Sequence, residues 1–328
     1  MTGSWFDKLR TRVTTTPSQP QKANTPEPAA ESALDIAPRS KLSRFPARYP
    51  RGERAKPPFI DWSRTRSPTA QAMIVDDLKL IYLPIAKNAC SSTKRLVASL
   101  GGLTLEKGQD IHYTLDKNNT GLQFKDKSPE DIKSALAAPD WMRFMVFRDP
   151  MDRLVSAYVE KFVNNREHPG QWETCGDVIR TVFHVDTATP EHFSHGITFR
   201  EFAEYILARD PQQLDSHWQP QVFYMGHVPL THMYDVKALD LLEDDLQAHI
   251  GSEISIPHMN RSRDQGPAKQ HVPEAVDLLP RDLPDAKKLS LTSFLPQDLH
   301  GRLQEFYAAD LSVYQQIKQS SALRHGHH

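Results

Sequence analysis

Residues 78–100 read LKLIYLPIAKNACSSTKRLVASL, an apolar run, a polar loop and a second apolar pattern in direct succession. The run Leu78–Leu83 predicts a buried strand that ends before Pro84. Ser91–Leu100 has the apolar spacing of a helix and stops at Gly101, a common helix end. A strand joined to a helix by a short loop is typical of α/β domains with a parallel sheet.

A second junction of the same kind occupies residues 143–158, RFMVFRDPMDRLVSAY. Arg143–Phe147 predicts a strand, and Asp149 and Pro150 predict the N-cap and first position of the next helix. We therefore expect an α/β fold, a three-layer αβα domain with a central parallel sheet and a helix-rich C-terminal half. Further helices are predicted at Thr198–Ala208, Leu241–Ile250 and Pro296–Lys318.

Three segments divide the 328 residues. Residues 1–58 are rich in Pro, Ser, Thr and charge, so we expect a disordered or loosely ordered arm. Residues 59–318 are expected to form the folded domain, and 319–328 a frayed tail. Within the arm, residues 4–13 carry apolar side chains on one helical face. They predict either a partly helical tail or a docking helix for a partner or a membrane surface.

Charge and cysteine content narrow the class of protein. A formal net charge of −1 gives no reason to expect nucleic acid or an anionic membrane as the main partner. No apolar run reaches the roughly 18 residues of a membrane span, and no signal-peptide core is present. With Cys90 and Cys175 as the two cysteines, a reducing compartment fits best, and we expect no disulfide between them. The sequence thus predicts a soluble, cytoplasmic protein.

The loop after the first strand carries a lysine and is followed by small hydroxyl residues. Backbone N–H groups and the positive dipole end at a helix N-terminus favour phosphate or sulfate oxygens. The Gly-x-x-x-x-Gly-Lys-Ser/Thr pattern of a Walker A loop is absent. The alternative is that Ser91 caps the helix and Lys87 is solvated. The predicted anion-binding set is Lys87, Asn88, Ala89, Cys90, Ser91, Ser92 and Thr93.

The second junction places Arg148 at the carboxyl end of a strand, where open α/β sheets bind their ligands. Ser156 follows two turns into the helix, and a guanidinium and a hydroxyl together can hold a phosphate group. The alternative is that Arg148 pairs with Asp152 and that Ser156 is an ordinary helix-surface residue. Glu160 and Asp152 are weaker candidates for a general base, and we interpret them as solvated helix residues or as partners of Arg153.

Together the two junctions resemble the paired signatures of the Golgi-type carbohydrate sulfotransferases and their bacterial relatives. The loop of the chondroitin/HNK-1 group (Golgi sulfotransferase family 2) reads Lys-x-Ala-Cys-Thr-Asn-x-Lys-Arg. Here Ser91 replaces the threonine, and Ser92 and Thr93 depart from the pattern. The matching positions are Lys87, Ala89, Cys90, Lys94 and Arg95.

The second signature, Arg-Asp-Pro-x-x-Arg-Leu-x-Ser-x-Tyr, matches at every fixed position from Arg148 to Tyr158. Weaker likeness extends to Asp215–Gln221, which resembles a His-Trp-x-Pro-Gln element, and to His258–Ser262, which resembles an Asn-x-Ser element. A bacterial cytoplasmic relative, at most peripheral at the inner membrane, would account for the missing membrane anchor and lumenal cysteines.

The resemblance implies a P-loop nucleotide-kinase-like sulfotransferase fold. It also implies transfer of a sulfuryl group from 3′-phosphoadenosine-5′-phosphosulfate (PAPS) to a hydroxyl of a carbohydrate, glycolipid or other glycoconjugate. Lys87 would neutralise the leaving phosphate, while Arg148 and Ser156 would hold the 3′-phosphate. Such an in-line displacement rests on positioning and charge, and needs no metal.

A histidine is the expected general base, because its ordinary pKa suits proton transfer near neutral pH. His112 lies between the two junctions, where the related 2-O-sulfotransferases place a catalytic histidine. His217 stands beside Trp218, whose ring can stack on a sugar, and we favour His217 slightly. Each histidine can equally be a structural or surface residue.

The acceptor is not specified by the sequence, and two other functions stay open. A nucleotide-dependent phosphotransferase would cradle phosphates in a similar way, but it predicts a Walker A loop. A non-catalytic nucleotide-binding adaptor predicts loss of Lys87, Arg148 and Ser156, which are present. A candidate acceptor-binding insertion is Val163–Thr198, with Trp172, His184, His192 and His195.

Overall fold

A computed structural model describes residues 71–106, 108–225, 228–256 and 269–325 of the chain. The expectations for the arm at 1–58, including the patch at 4–13, lie outside these residues. So does the expectation for His258–Ser262.

Four strands form one sheet in the order β1-β2-β3-β4. The predicted strands at 78–83 and 143–147 are confirmed as β2 and β3, which pair in parallel with Leu83 opposite Met145. β4 lies parallel to β3 on its other side. The strands are β1 (Met73–Val75), β2 (Leu80–Leu83), β3 (Met142–Phe147) and β4 (His232–Asp235).

The expected central parallel sheet is confirmed for β2, β3 and β4, and the edge strand β1 is the exception. β1 and β2 are joined by one 3-10 turn, Asp76–Leu78, and by Lys79 in a left-handed conformation (φ 48°). A parallel connection needs a crossover of a dozen or more residues. This short turn therefore makes β1 run antiparallel to β2.

Helices cover both faces of the sheet. They are α1 (Cys90–Leu100), α2 (Ile111–Lys117), α3 (Pro129–Ala137), α4 (Pro150–Tyr158), α5 (Pro169–Phe183), α6 (Pro190–His195), α7 (Phe199–Leu207), α8 (Val222–Met225), α9 (Leu239–Ile250), α10 (Gln297–Phe306) and α11 (Ala308–His325). α4 continues directly into a π-helical segment, Val159–Asn164. Among the described residues, no helix is both long and apolar enough to cross a membrane.

The sheet separates two apolar cores, because alternate side chains of a strand point to opposite faces. Leu80 and Tyr82 of β2 pack with α1 and α9 on one face. Ile81 and Leu83 pack with α3 and α11 on the other face. This arrangement confirms the three-layer αβα domain. A third apolar cluster, among α4, α5, α7 and α10, makes the second half of the chain rich in helices, as expected.

Local capping signals account for the helix starts. Asp149 accepts hydrogen bonds from the N–H groups of Met151 and Asp152, so the predicted N-cap of α4 is confirmed. Thr198 and Glu201 form the capping box predicted for α7. Such caps satisfy backbone donors that a helix leaves unpaired in its first turn.

The end of the chain departs from expectation. The single predicted helix Pro296–Lys318 is two helices, α10 and α11, separated at Tyr307. The frayed tail expected from residue 319 is wrong for the residues described, since α11 continues to His325. Arg324 makes two hydrogen bonds of 2.7 Å to the Asp245 carboxylate of α9, which fixes the end of α11.

A buried amide links the two strand-helix junctions to the C-terminal half. The side-chain oxygen of Gln221 accepts hydrogen bonds from the Asn88 side chain (2.6 Å) and from the Arg148 backbone N–H (3.1 Å). Its nitrogen donates to the Arg148 carbonyl (2.9 Å) and to the Asp310 carboxylate (3.2 Å). Asp310, on α11, also accepts from the backbone N–H groups of Gln221 and Val222. Both polar atoms of the Gln221 amide thus have partners, as burial requires.

Replacing Asp310 with alanine is expected to lower the free energy of unfolding by about 3 kcal/mol, because buried N–H donors lose their acceptor. Burial raises the pKa of Asp310, and the donors of Gln221 and Val222 oppose this shift. Asp298→Ala, which removes an exposed carboxylate from α10, is the control and should cost under about 0.5 kcal/mol. Chemical denaturation measures both, and equal losses would contradict the interpretation.

Candidate active site

The two predicted anion-binding junctions meet at the carboxyl ends of β2 and β3. β2 and β3 are adjacent and parallel, so their carboxyl ends and the loops that follow lie side by side. The Arg148 guanidinium donates through Nη1 to the Lys87 carbonyl at 2.9 Å. The sequence-predicted residues of the two motifs therefore form a single site.

The loop between β2 and α1 has an unusual backbone. Lys87 and Ala89 both adopt left-handed conformations, with φ of 72° and 54°. Non-glycine residues rarely occupy this region, and such strain is concentrated at functional sites. Asn88, between them, is fully buried, and its amide donates to the Val146 carbonyl at 2.9 Å as well as to Gln221. The Asn88 side chain therefore holds the loop against β3.

The N-terminus of α1 is left uncapped by side chains. The N-cap is Ala89, so the alternative in which Ser91 caps the helix is wrong. The first-turn N–H groups thus have no side-chain acceptor and suit an anion. Ser91 directs its hydroxyl to His112 instead, at 2.9 Å. Ser92 and Thr93 are buried, which turns their side chains away from solvent.

Lys87 forms an ion pair with Glu160 of the π-helical segment, so the alternative of a solvated lysine is wrong. The Lys87 side chain is 16% exposed and that of Glu160 38% exposed. Burial lowers the pKa of Lys87, and Glu160 opposes that shift. Burial would raise the pKa of Glu160, but Lys87 and Lys161 lower it overall. The lysine and the carboxylate therefore stabilise each other's charge.

Arg148 combines both of the arrangements considered from the sequence. Its Nε donates to Asp152 at 2.8 Å, one helical turn away, and its Nη1 donates to the Ser156 hydroxyl at 3.3 Å. Nη2 has no hydrogen-bond partner among the described residues. The guanidinium is thus oriented from one side, while a donor stays available on the other.

The expectation that Asp152 and Glu160 are solvated or pair with Arg153 is wrong. Asp152 pairs with Arg148 and Glu160 with Lys87, not with Arg153. The buried Arg153 guanidinium instead donates to three backbone carbonyls, those of Ala86, Ser216 and Gln219, at 2.7–3.0 Å. It therefore ties the β2–α1 loop to the segment that carries His217.

His217 has the geometry of an oriented base. Its Nδ1 lies 2.6 Å from the Asp215 carboxylate, which also accepts the His217 backbone N–H at 2.9 Å. A carboxylate at Nδ1 fixes the proton there and leaves the lone pair on Nε2. Burial lowers the pKa of His217, and Asp215 opposes the shift. Nε2 has no hydrogen-bond partner in the part of the chain described.

Trp218 does not have the role predicted for it. Its ring is 1% exposed and packs against Phe162 and Phe202, with ring centroids 5.9 Å and 5.3 Å away. A sugar cannot stack on a ring that the protein core already covers. Trp218 instead anchors the segment beside His217, and its carbonyl accepts from the Tyr307 hydroxyl at 2.5 Å.

His112 uses both ring nitrogens within the protein. Lys94 lies 3.4 Å from Nδ1, and Ser91 lies 2.9 Å from Nε2. With the ammonium donating to Nδ1, the proton is on Nε2 and donates to Ser91. Burial and Lys94 lower the pKa of His112 to about 4. Because a weak base accepts protons poorly, His112 is less suited to base catalysis than His217.

The candidate acceptor segment, Val163–Thr198, folds into α5 and α6. Trp172 stacks on Phe193, with ring centroids 5.2 Å apart. His192 and His195 lie against Phe183, and His184 ends α5 in a left-handed conformation. Trp172, His192 and His195 thus pack within the segment. Lys161, beside Glu160, connects the segment to the site by a hydrogen bond to Gln171 at 2.6 Å.

The two cysteines are free thiols. Burial raises the pKa of Cys90 and that of Cys175, the latter to about 12. Cys90 therefore contributes to the site as the first residue of α1 and not as a thiolate.

A sequence model of the sulfotransferase family matches residues 70–315, which include both junctions and His217. The chain belongs to the sulfotransferase family. This assignment agrees with the resemblance carried by the two motifs and with the α/β fold.

Individual sulfotransferases are similar to the chain at lower coverage. Carbohydrate sulfotransferase 14 of Homo sapiens is 26% identical over 227 residues, 69% of this chain and 57% of that protein. The Mus musculus protein of the same name is 27% identical over 187 residues, 57% of this chain and 47% of that protein. Carbohydrate sulfotransferase 9 of Homo sapiens is 28% identical over 177 residues, 52% of this chain and 38% of that protein.

The chain thus spans about half the length of the carbohydrate sulfotransferases 14 that it matches. No solved structure is significantly similar to it.

Two residues of the site are not anticipated by the sequence motifs. Glu160 is not a solvated or Arg153-paired residue, and its spacing of four from Ser156 is the signal that places it on the same helix face. Asp215 lies within a motif that assigns it no role. Its position two residues before His217 is the available signal, because aspartate often accepts the backbone N–H two residues on.

The low pKa of His112 predicts a dependence of stability on pH. Its pKa in the folded protein, about 4, lies below the ordinary 6.5, so between these values the unfolded chain binds the proton more strongly. The contribution of His112 to stability is complete above pH 6.5 and lost as the pH falls towards 4. Across this range, the free energy of unfolding should fall more steeply for the wild type than for His112→Gln, measured by chemical denaturation. Equal slopes would contradict the assigned burial.

Proposed function

We propose that this protein is a PAPS-dependent sulfotransferase that sulfates a hydroxyl of a carbohydrate or glycoconjugate. One observation carries the proposal. In a chain of the sulfotransferase family, the Arg148 guanidinium contacts both the Lys87 carbonyl and Ser156, which joins the two anion-binding junctions into one site.

The residues at this site fit a nucleotide with phosphate groups at two ends. Arg148 Nη2 and the Ser156 hydroxyl suit the 3′-phosphate, because guanidinium donors bind phosphate oxygens in pairs. The ammonium of Lys87 and the uncapped N-terminus of α1 suit the 5′-phosphosulfate. The side chains of Asn88 and Thr93 are fully buried, so we expect the loop backbone, which Asn88 holds in place, to bind the donor instead of these side chains.

PAPS supplies an activated sulfuryl group. The acceptor oxygen forms a bond to sulfur as the bond between sulfur and the 5′-phosphate oxygen breaks, giving a sulfate ester and 3′-phosphoadenosine-5′-phosphate. Lys87 stabilises the negative charge that develops on that phosphate oxygen. His217 Nε2 takes the hydroxyl proton, and Asp215 stabilises the resulting imidazolium.

The carbohydrate part of the proposal draws on the relatives reported above, all of which are named carbohydrate sulfotransferases. With Trp218 buried, the acceptor has to be recognised by other side chains near His217. The charged residues that act on His217, Lys161 and Glu160, suit a hydroxyl-rich ligand better than an apolar alcohol.

Donor binding is expected to depend on Arg148. Arg148→Ala should raise the Kd for 3′-phosphoadenosine-5′-phosphate about ten- to hundredfold, because charged hydrogen bonds to phosphate are lost. Lys87→Ala should lower kcat about 10²- to 10³-fold. Isothermal titration calorimetry and transfer of labelled sulfate measure the two effects.

Lys79→Gln provides the matched control. Lys79 lies at the amino end of β2, away from the loop that follows this strand, and its side chain is exposed. This variant should bind the nucleotide as the wild type does. If Lys87→Ala and Arg148→Ala both bind the nucleotide with wild-type affinity, the proposed donor site is wrong.

The assignment of the base is tested separately. His217→Ala should lower kcat about 10²- to 10⁴-fold with little change in nucleotide affinity. Asp215→Asn should reduce kcat less, since it removes the partner and not the base. His112→Ala should retain more activity than His217→Ala, and the reverse order would assign the base to His112.

A further inference from the structure

Three polar side chains form a stripe along α4 and its π-helical continuation. Asp152, Ser156 and Glu160 are spaced by four residues, which places them on one helix face. Asp152 and Ser156 contact Arg148, and Glu160 contacts Lys87. Arg148 and Lys87, the two cations proposed to bind the donor, therefore each already have a carboxylate partner from this stripe.

Asp152 and Glu160 bind different parts of their cationic partners. Asp152 accepts from Nε of Arg148, at the side of the guanidinium, so it orients the group and leaves Nη2 for a phosphate. Glu160 accepts from the ammonium of Lys87, which is the group that the 5′-phosphosulfate needs. The donor can bind beside Asp152, but it has to compete with Glu160 for Lys87.

A second lysine makes this exchange feasible. The Glu160 carboxylate lies 3.5 Å from Lys161, whose own ammonium is buried and also donates to Gln171. When Lys87 turns to a phosphate oxygen, Glu160 keeps one cationic partner and its contact with solvent. A buried carboxylate without a partner, which would oppose the exchange, does not arise.

We propose that Glu160 is a positioning residue that holds Lys87 in the donor-free enzyme, yields it to the 5′-phosphosulfate, and reclaims it when the product nucleotide leaves. This inference rests on the proposed donor site. It gives Glu160 two effects on the reaction. The carboxylate keeps the Lys87 side chain at the site before the donor arrives, and it weakens retention of the product.

Calorimetric titration of the full chain with 3′-phosphoadenosine-5′-phosphate tests the proposal. Glu160→Gln removes the competing charge and keeps the shape, so it should bind the nucleotide about threefold more tightly or better. Glu160→Asp, which restores the charge, should return the Kd towards that of the wild type. In a Lys87→Ala background, Glu160→Gln should have no further effect, because the residue through which it acts is absent.

Asp152→Asn is the matched control from the same stripe. It should weaken nucleotide binding, because Asp152 orients Arg148 and does not compete with the ligand. A purely structural role for Glu160 would lower the thermal stability of Glu160→Gln without tightening nucleotide binding.

The outcomes separate this inference from the proposed function. If the wild type binds the nucleotide and Glu160→Gln binds it equally or more weakly, the exchange is wrong while the donor site stands. The exchange is also wrong if Glu160→Gln tightens binding equally with and without Lys87. If no variant and no wild-type protein binds the nucleotide, the proposed donor is wrong and the exchange falls with it.

Discussion

The side-chain amide of Gln221 is the interaction on which the site depends. It accepts from the loop after β2 through Asn88, binds both backbone groups of Arg148 after β3, and donates to Asp310 on α11. Residues far apart in sequence are held in register by one buried group that uses all of its hydrogen-bonding capacity. A satisfied polar group of this kind fixes geometry more sharply than apolar packing does, since each bond has a direction. Lys87 and Ala89 flank Asn88 in the chain, so the hydrogen bonds of Gln221 position the proposed donor-binding loop together with Arg148.

The elements predicted correctly are those with strong local signals. β2 and β3 are continuous apolar runs, and the start of α4 is marked by Asp149 and Pro150. β1 has three residues, and β4 reads His-Met-Tyr-Asp, so neither has a pattern that distinguishes it from a loop. Their pairing depends on neighbours distant in sequence, which no local window contains.

The same distinction holds within the site. The motifs predict Lys87, Arg148 and Ser156 as phosphate ligands from residue type and spacing, and the structure brings these three residues together. The partner of Lys87 is not predictable in this way, because it depends on how α4 lies beside the loop after β2. A sugar-stacking role for Trp218 follows from residue type alone, and aromatic rings serve in cores as readily as at binding surfaces. Its burial follows from the packing of α4 and α7, which the sequence around Trp218 does not encode.

The fixed end of α11 also bears on how the molecule avoids self-association. β4 is an edge strand, and α11 packs alongside it while Arg324 reaches across to Asp245 of α9. The helix and the Arg324–Asp245 ion pair therefore lie beside an edge strand, whose backbone groups could otherwise pair with a strand of another copy. The Arg324–Asp245 contact thus links helices that pack on the two faces of the sheet. Removing the last residues of α11 would take away this link while leaving Asp310, near the start of the helix, bound to Gln221.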